Sequence, residues 1–154
     1  MQTRINPYAV APEAFKPLLA LEEQLKASLE HSLIHLVKTR ASQINGCAYC
    51  LHMHTSDALA AGESPTRLFL LDAWEESKLY TDRERAALAW TEALTKISET
   101  HAPDADYDGL KAHFSDVEIV NLTLLIGAIN SWNRIAIGLR SQHPHDKAAT
   151  QKAA

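Results

Sequence analysis

Apolar side chains recur along this chain at intervals of three and four, and no stretch keeps the strict alternation of a half-buried strand. The segments therefore read as helices, each with a face turned inward. A first helix is expected from about Pro12 to Ala27. Pro12 suits a first-turn position, and Leu18, Leu19, Leu21 and Leu25 supply an apolar stripe. Pro17 falls inside that span, where it delays the start or bends the helix. A second helix begins near Leu29 with Ser28 as its N-cap. Leu33, Leu36, Val37 and Ile44 recur at helical spacing, and Asn45 and Gly46 end the run, Gly46 being suited to the left-handed position past a helix. A third helix spans about Ala48 to Ala61 and stops at Gly62.

The second half continues the pattern. Ser64 and Pro65 open a fourth helix, as N-cap and first-position proline, running to about Trp74 or Glu76. Its Leu68, Leu71 and Trp74 suit a core or a subunit interface. Thr81 and Glu84 form a capping box for a fifth helix that reaches about Ser98. A loop marked by Pro103 follows, then a short helix from about Tyr107 to Phe114. Ser115 and Glu118 repeat the capping box at the head of the last helix, Asp116 to about Arg140. The fifth and last helices are apolar over a wide arc, so each must be covered on more than one side. The polar groups that interrupt the last one, Asn130, Asn133 and Arg134, need partners, and are expected to hold other helices or a neighbouring subunit in place. The expected fold is all-α: one compact bundle of about six or seven helices in a single domain, 1–154. Residues 1–10 form an N-terminal arm and residues 141–154 a polar tail.

Composition narrows the class. A chain of 154 residues that is 46% hydrophobic can bury one ordinary core. The formal charge of −4 is mild and no basic stripe is present, which argues against a nucleic-acid partner. No uninterrupted apolar run reaches the roughly 20 residues of a membrane span, and the first fifteen residues lack the apolar core of a signal peptide. The expected location is cytoplasmic, where disulfides are usually transient or catalytic.

That inference matters because both cysteines of the chain, Cys47 and Cys50, lie in one C-x-x-C pair at the start of the third helix, with His54 four residues on. At ~100° per residue the three share a helix face, and His52 points to roughly the opposite side. A thiol reacts as its thiolate, and a free cysteine has a pKa of ~8.5. A helix N-terminus favours an anion nearby, and an imidazole one turn away can take or return the proton. The pair can thus cycle between dithiol and disulfide. The dipole favours Cys47 as the more acidic thiol, and the nearness of His54 favours Cys50. Two other readings compete. The pair plus His54 is three-quarters of a zinc site, completed by His31, His35 or His101. Alternatively, the cysteines are small buried apolar residues.

GCAYCLHMHT, preceded by LVKTRASQIN, resembles the core motif of the AhpD-like alkylhydroperoxidases within the wider carboxymuconolactone decarboxylase family. ERAALAWTEALT (Glu84 to Thr95) and INSWNRIAIGLR (Ile129 to Arg140) resemble further signatures of its short, single-domain branch. The likeness runs from about Pro12 to Arg140. It implies a thiol-dependent peroxidase for hydrogen peroxide or organic hydroperoxides, without cofactor or metal, assembled as a homo-oligomer, often a trimer or hexamer. Cys50 is then the thiolate that attacks peroxide. Cys47 resolves the sulfenic acid into a disulfide and receives the external reductant, a lipoyl, thioredoxin-like or small thiol. His54 accepts the proton. The family commonly places a glutamate about where His35 stands, in a proton relay to the motif histidine, so His35 or another residue such as Glu30 must serve here. Some members also carry a histidine between the cysteines, where this chain has Tyr49. The wider family name suggests an alternative, lactone decarboxylation, which has no use for a cysteine pair. A second alternative is a non-catalytic redox-sensing or zinc-bound interaction protein.

Overall fold

The computed structural model describes residues 2–144. Most of the anticipated polar tail, including His145, lies outside the described residues. Within them are nine α-helices and no strand. They are α1 (Pro7–Val10), α2 (Pro12–Leu25), α3 (His31–Asn45), α4 (Ala48–Ala60), α5 (Pro65–Phe69), α6 (Asp82–Thr95), α7 (Ile97–Thr100), α8 (Asp104–Lys111) and α9 (Asp116–Leu139), with a 3-10 turn at Leu71–Ala73.

The bundle is built around α3, which packs against α4, α6 and α9. Seven consecutive residues of α3, Leu36 to Ser42, are buried, so the helix is enclosed on all sides. Leu33 and Val37 join Leu25, Trp90, Leu110, Leu122, Leu125 and Ile126 in the main core. Leu36 faces a second cluster with Ala58, Leu68, Leu71, Trp74, Tyr80 and Leu88. An enclosed helix must find partners for its polar residues. Arg40 donates to Glu92 (2.9 Å), to Gln43 and to Asp72, and Trp74 donates to the same Glu92 oxygen at 2.7 Å. At the C-terminal end, Asn45 donates to Asn130 (2.9 Å) and Asn133 (2.8 Å), and Asn133 donates to Ser42 (3.0 Å). These bonds fix the end of α3 against α9 immediately before Cys47.

Both capping boxes form, at Thr81–Glu84 and Ser115–Glu118. Gly46 adopts the left-handed conformation (φ 68°) that turns the chain from α3 into α4. Several boundaries differ from expectation: α6 stops at Thr95 rather than about Ser98, with α7 following after Lys96, and α8 stops at Lys111 rather than Phe114. Ser28 is not an N-cap. Its hydroxyl donates to Leu25 O (2.7 Å) and closes α2, and α3 begins later behind Glu30. The fourth helix ends at Phe69 and gives way to the 3-10 turn at Leu71–Ala73, beyond which the Arg85 guanidinium donates to the carbonyls of Trp74, Glu75 and Ser77. The short helix begins at Asp104, three residues early, where Asp104 and Asp106 complement its positive end. Pro17 is tolerated inside α2. α9 is long and apolar enough on composition to cross a membrane. Its Leu122, Leu125, Ile126 and Ile129 are packed in the interior of this bundle.

Candidate active site

Cys47 ends the left-handed turn and serves as N-cap of α4, with its backbone extended (φ −86°, ψ 94°). Its sulfur accepts the Cys50 amide N–H at 3.3 Å. Cys50 sits in the first turn, and the two are joined as a disulfide with their Cα atoms 5.4 Å apart. Both are shut away from solvent, at 1% and 2% exposure, in a small cluster with Ala136 and with Tyr49 packed beside it. One turn further, His54 is 7% exposed.

A cavity of about 600 Å³ lies over this helix face. Cys50 and His54 are in its wall, together with Tyr49, Met53, Trp132, Ile135 and Ala136; Cys47 is not. Its roof is the N-terminal segment, from which Ile5, Pro7 and Tyr8 contribute. Arg4 holds that segment to the end of α9, its amide donating to Leu139 O (3.1 Å) and its guanidinium to Gly138 O (3.0 Å). Tyr8 packs at a tilt against Phe15 (4.8 Å between centroids), and Phe15 stacks on Trp132 (6.0 Å). The arm expected at residues 1–10 is thus folded onto the site and contains the short α1.

The polar end of the cavity was not foreseen in the sequence. Lys38 of α3 forms a buried ion pair with Glu22 of α2, and the other Glu22 oxygen accepts the Trp132 indole N–H at 3.0 Å. All three residues line the cavity with Cys50 and His54. The one available signal was a lysine at position 38 in a run that otherwise reads as core.

Burial holds His54 well below the ordinary histidine range, at a pKa of about 3, with the Lys38 and His35 charges adding to the effect. The imidazole is therefore neutral. Its Nε2 is buried with no hydrogen-bond partner. His35 is half-buried, and burial lowers its pKa too, against an opposing pull from Asp57. Its Nδ1 is likewise buried and unpartnered, so the two orphaned nitrogens do not bond each other. Glu30 is engaged elsewhere, in an ion pair with Arg83 at 2.9 Å. His31 and His101 are exposed, and among the described residues no three His, Cys, Asp or Glu side chains gather as metal ligands. Asn130 and Asn133 lie outside the cavity wall and tie α9 to α3 and α6.

The arrangement presents one sulfur of a closable pair, a neutral imidazole and a neutralised buried cation to a largely apolar chamber. Comparison with known proteins agrees with this motif. The model of the carboxymuconolactone decarboxylase family matches residues 12–93. The uncharacterized protein YdfG of Bacillus subtilis (strain 168) is 41% identical over 140 residues, covering 90% of this chain and 95% of its own. A crystal structure of ATU0492 from Agrobacterium tumefaciens, a protein of unknown function and a candidate antioxidant defence protein AhpD, superposes with a TM-score of 0.90 at 55% identity, over 93% of this chain and 99% of the other. The debrominase Bmp8 shares the fold at 22% identity, with a TM-score of 0.79 over 90% of this chain and 75% of its own.

Proposed function

The chain belongs to the carboxymuconolactone decarboxylase family, and from that premise we propose that it is a thiol-dependent peroxidase acting on hydrogen peroxide or an organic hydroperoxide. The observation that carries this reading is the placement of Cys50 and His54 in one cavity wall, with Cys47 directly behind, in disulfide distance. Neutral His54 takes the proton of the Cys50 thiol, and the resulting imidazolium is favoured by the thiolate beside it. The thiolate attacks the nearer peroxide oxygen. An S–O bond forms, the O–O bond breaks, and the departing oxygen collects a proton from His54 and leaves as water or an alcohol. The Cys47 thiol then displaces water from the sulfenic acid and closes the disulfide. Two equivalents of external thiol return the pair to the dithiol form and leave as their own disulfide.

Lys38 stands as a buried cation at the same wall and favours the thiolate electrostatically, with Glu22 and Trp132 holding it in place. His35 influences His54 through its charge rather than by a hydrogen bond. A cysteine pair of this kind favours redox chemistry over decarboxylation of a lactone. The protein is proposed to act in the cytoplasm as a homo-oligomer, a trimer or hexamer. The exposed apolar side chains of Val117, Val120 and Leu124 on α9 support association between copies.

The test is peroxide consumption by the reduced protein, with free thiols counted before and after one equivalent. Wild type is expected to lose both thiols quickly, and Cys50→Ser to lose no sulfenic-forming thiol. Persistence of both thiols in wild type, or a rate no greater than that of a small-molecule thiol, removes the peroxidase reading.

A further inference from the structure

The last helix, α9, runs for 24 residues and leaves one side to solvent. Val117, Val120, Leu124, Gly127, Ser131 and Arg134 are all exposed, at alternating steps of three and four. That spacing is the a/d seam of a two-helix coiled coil. The N-terminal half of the seam is apolar, with Val117 70%, Val120 57% and Leu124 45% exposed. The C-terminal half is small. A glycine inside a helix weakens it relative to alanine. A Cβ built at Gly127 meets nothing within 4 Å in this chain, so no contact inside the bundle demands the glycine. The room it leaves faces outward.

We propose that α9 pairs antiparallel with α9 of a second copy across a two-fold axis, Leu124 of each copy seated over Gly127 of the other. This goes beyond the peroxidase reading. It gives the proposed association a surface and a symmetry: two-fold pairs build a dimer or a hexamer and are absent from a lone trimer.

The seam complements itself in this register. With Leu124 over Gly127, Val120 falls opposite Ser131 and Val117 opposite Arg134. Two of these layers set a larger apolar side chain against a small residue, and the third lays Val117 along the aliphatic stem of Arg134. The charges agree. Exposed Asp116 stands beside Val117, within reach of Arg134 of the second copy. In its own helix Arg134 donates through Nη1 to Asn130 O and Oδ1, both at 2.9 Å, which leaves the rest of the guanidinium for that carboxylate. The two-fold axis forms the ion pair twice. A parallel pair sets Arg134 against Arg134, Asp116 against Asp116 and Gly127 against Gly127, two repulsions and a void. Beside the apolar half, a hollow of about 350 Å³ opens between α8 and α9, with Tyr107, Ile119 and Val120 in its wall. The antiparallel register brings exposed Ile137 of the second copy opposite Asp116, at the edge of that hollow.

Val120→Cys and Ser131→Cys, each made in protein carrying Cys47→Ser and Cys50→Ser, test the register without peroxide. Within one helix the two sites are about 16 Å apart at ~1.5 Å per residue, beyond disulfide reach. A mixture of the two variants under mild oxidation is expected to give a crosslinked dimer on a non-reducing gel, and neither variant alone to give one. Crosslinking of each variant with itself, or none in the mixture, overturns the pairing. In sedimentation equilibrium, Gly127→Leu is expected to keep native helical content and halve the wild-type mass. Arg134→Asp is expected to weaken the association at least about tenfold, and Asp116→Arg in the same chain to restore it. A monomeric wild type overturns the pairing, as does wild type that floats with phosphatidylglycerol vesicles instead of self-associating. An oligomer without the mixed crosslink loses this pairing and keeps the association proposed above. A crosslinked protein whose wild type consumes no peroxide loses the peroxidase reading and keeps the pairing.

Discussion

His54→Gln removes a group whose proton the fold refuses, and the consequence is a stability curve that changes shape with pH. In the disulfide form the folded pKa of His54 is about 3, against 6.5 for an unperturbed histidine, because the ring is buried and faces the Lys38 and His35 charges. Above pH 6.5 the imidazole is neutral whether the chain is folded or not. As the pH falls below 6.5, the unfolded chain binds a proton that the folded chain does not, so stability drops and keeps dropping until about pH 3. Between pH 7 and pH 5 the loss from this one group is about 2 kcal/mol, from the ratio of protonated to neutral unfolded histidine at each pH. Urea unfolding of the oxidised protein at the two pH values, for wild type and His54→Gln, measures it. Wild type is expected to lose about 2 kcal/mol more than the variant on acidification. Equal losses would mean that the folded protein accommodates the imidazolium, and the reasoning from burial would fail.

Replacing Lys38 with Met at native Glu22 removes the buried cation and leaves a carboxylate at the cavity wall, both of which disfavour the thiolate, and is expected to raise the Cys50 thiol pKa. The pH dependence of iodoacetamide alkylation in Cys47→Ser protein measures the shift, and Lys38→Arg with native Glu22 should restore most of it. Asn133→Ala removes one acceptor of the half-buried Asn45 amide and the donor to the fully buried Ser42 hydroxyl, and is expected to cost about 2 kcal/mol, read from the urea midpoint.

Much of the fold is local in origin and could be read along the chain. The two capping boxes each satisfy orphan N–H groups with a side chain three residues away, so Thr81–Glu84 and Ser115–Glu118 declare their helices without help from elsewhere. Gly46 marks the turn between α3 and α4, since the left-handed backbone costs glycine nothing. The nearness of Cys47, Cys50 and His54 follows from helical spacing in the same way. Where a distant group holds the backbone, the local reading is incomplete: past Phe69, Arg85 of α6 donates to the carbonyls of Trp74, Glu75 and Ser77, and nothing between Ser64 and Glu76 announces it.

The sequence by itself thus determined the helical class, most helix ends and the reactive triplet, because hydrogen bonds and side-chain directions within a few residues decide them. Only the tertiary structure decided which sulfur meets the cavity. Helical spacing puts both cysteines on one face, yet Cys50 lies in the cavity wall and Cys47 does not. It also decided the charge beside the site. Glu22, Lys38 and Trp132 lie as much as 110 positions apart and meet only when α2, α3 and α9 pack together. No local pattern records that meeting, because the free energy that drives it comes from burying the apolar faces of three helices at once.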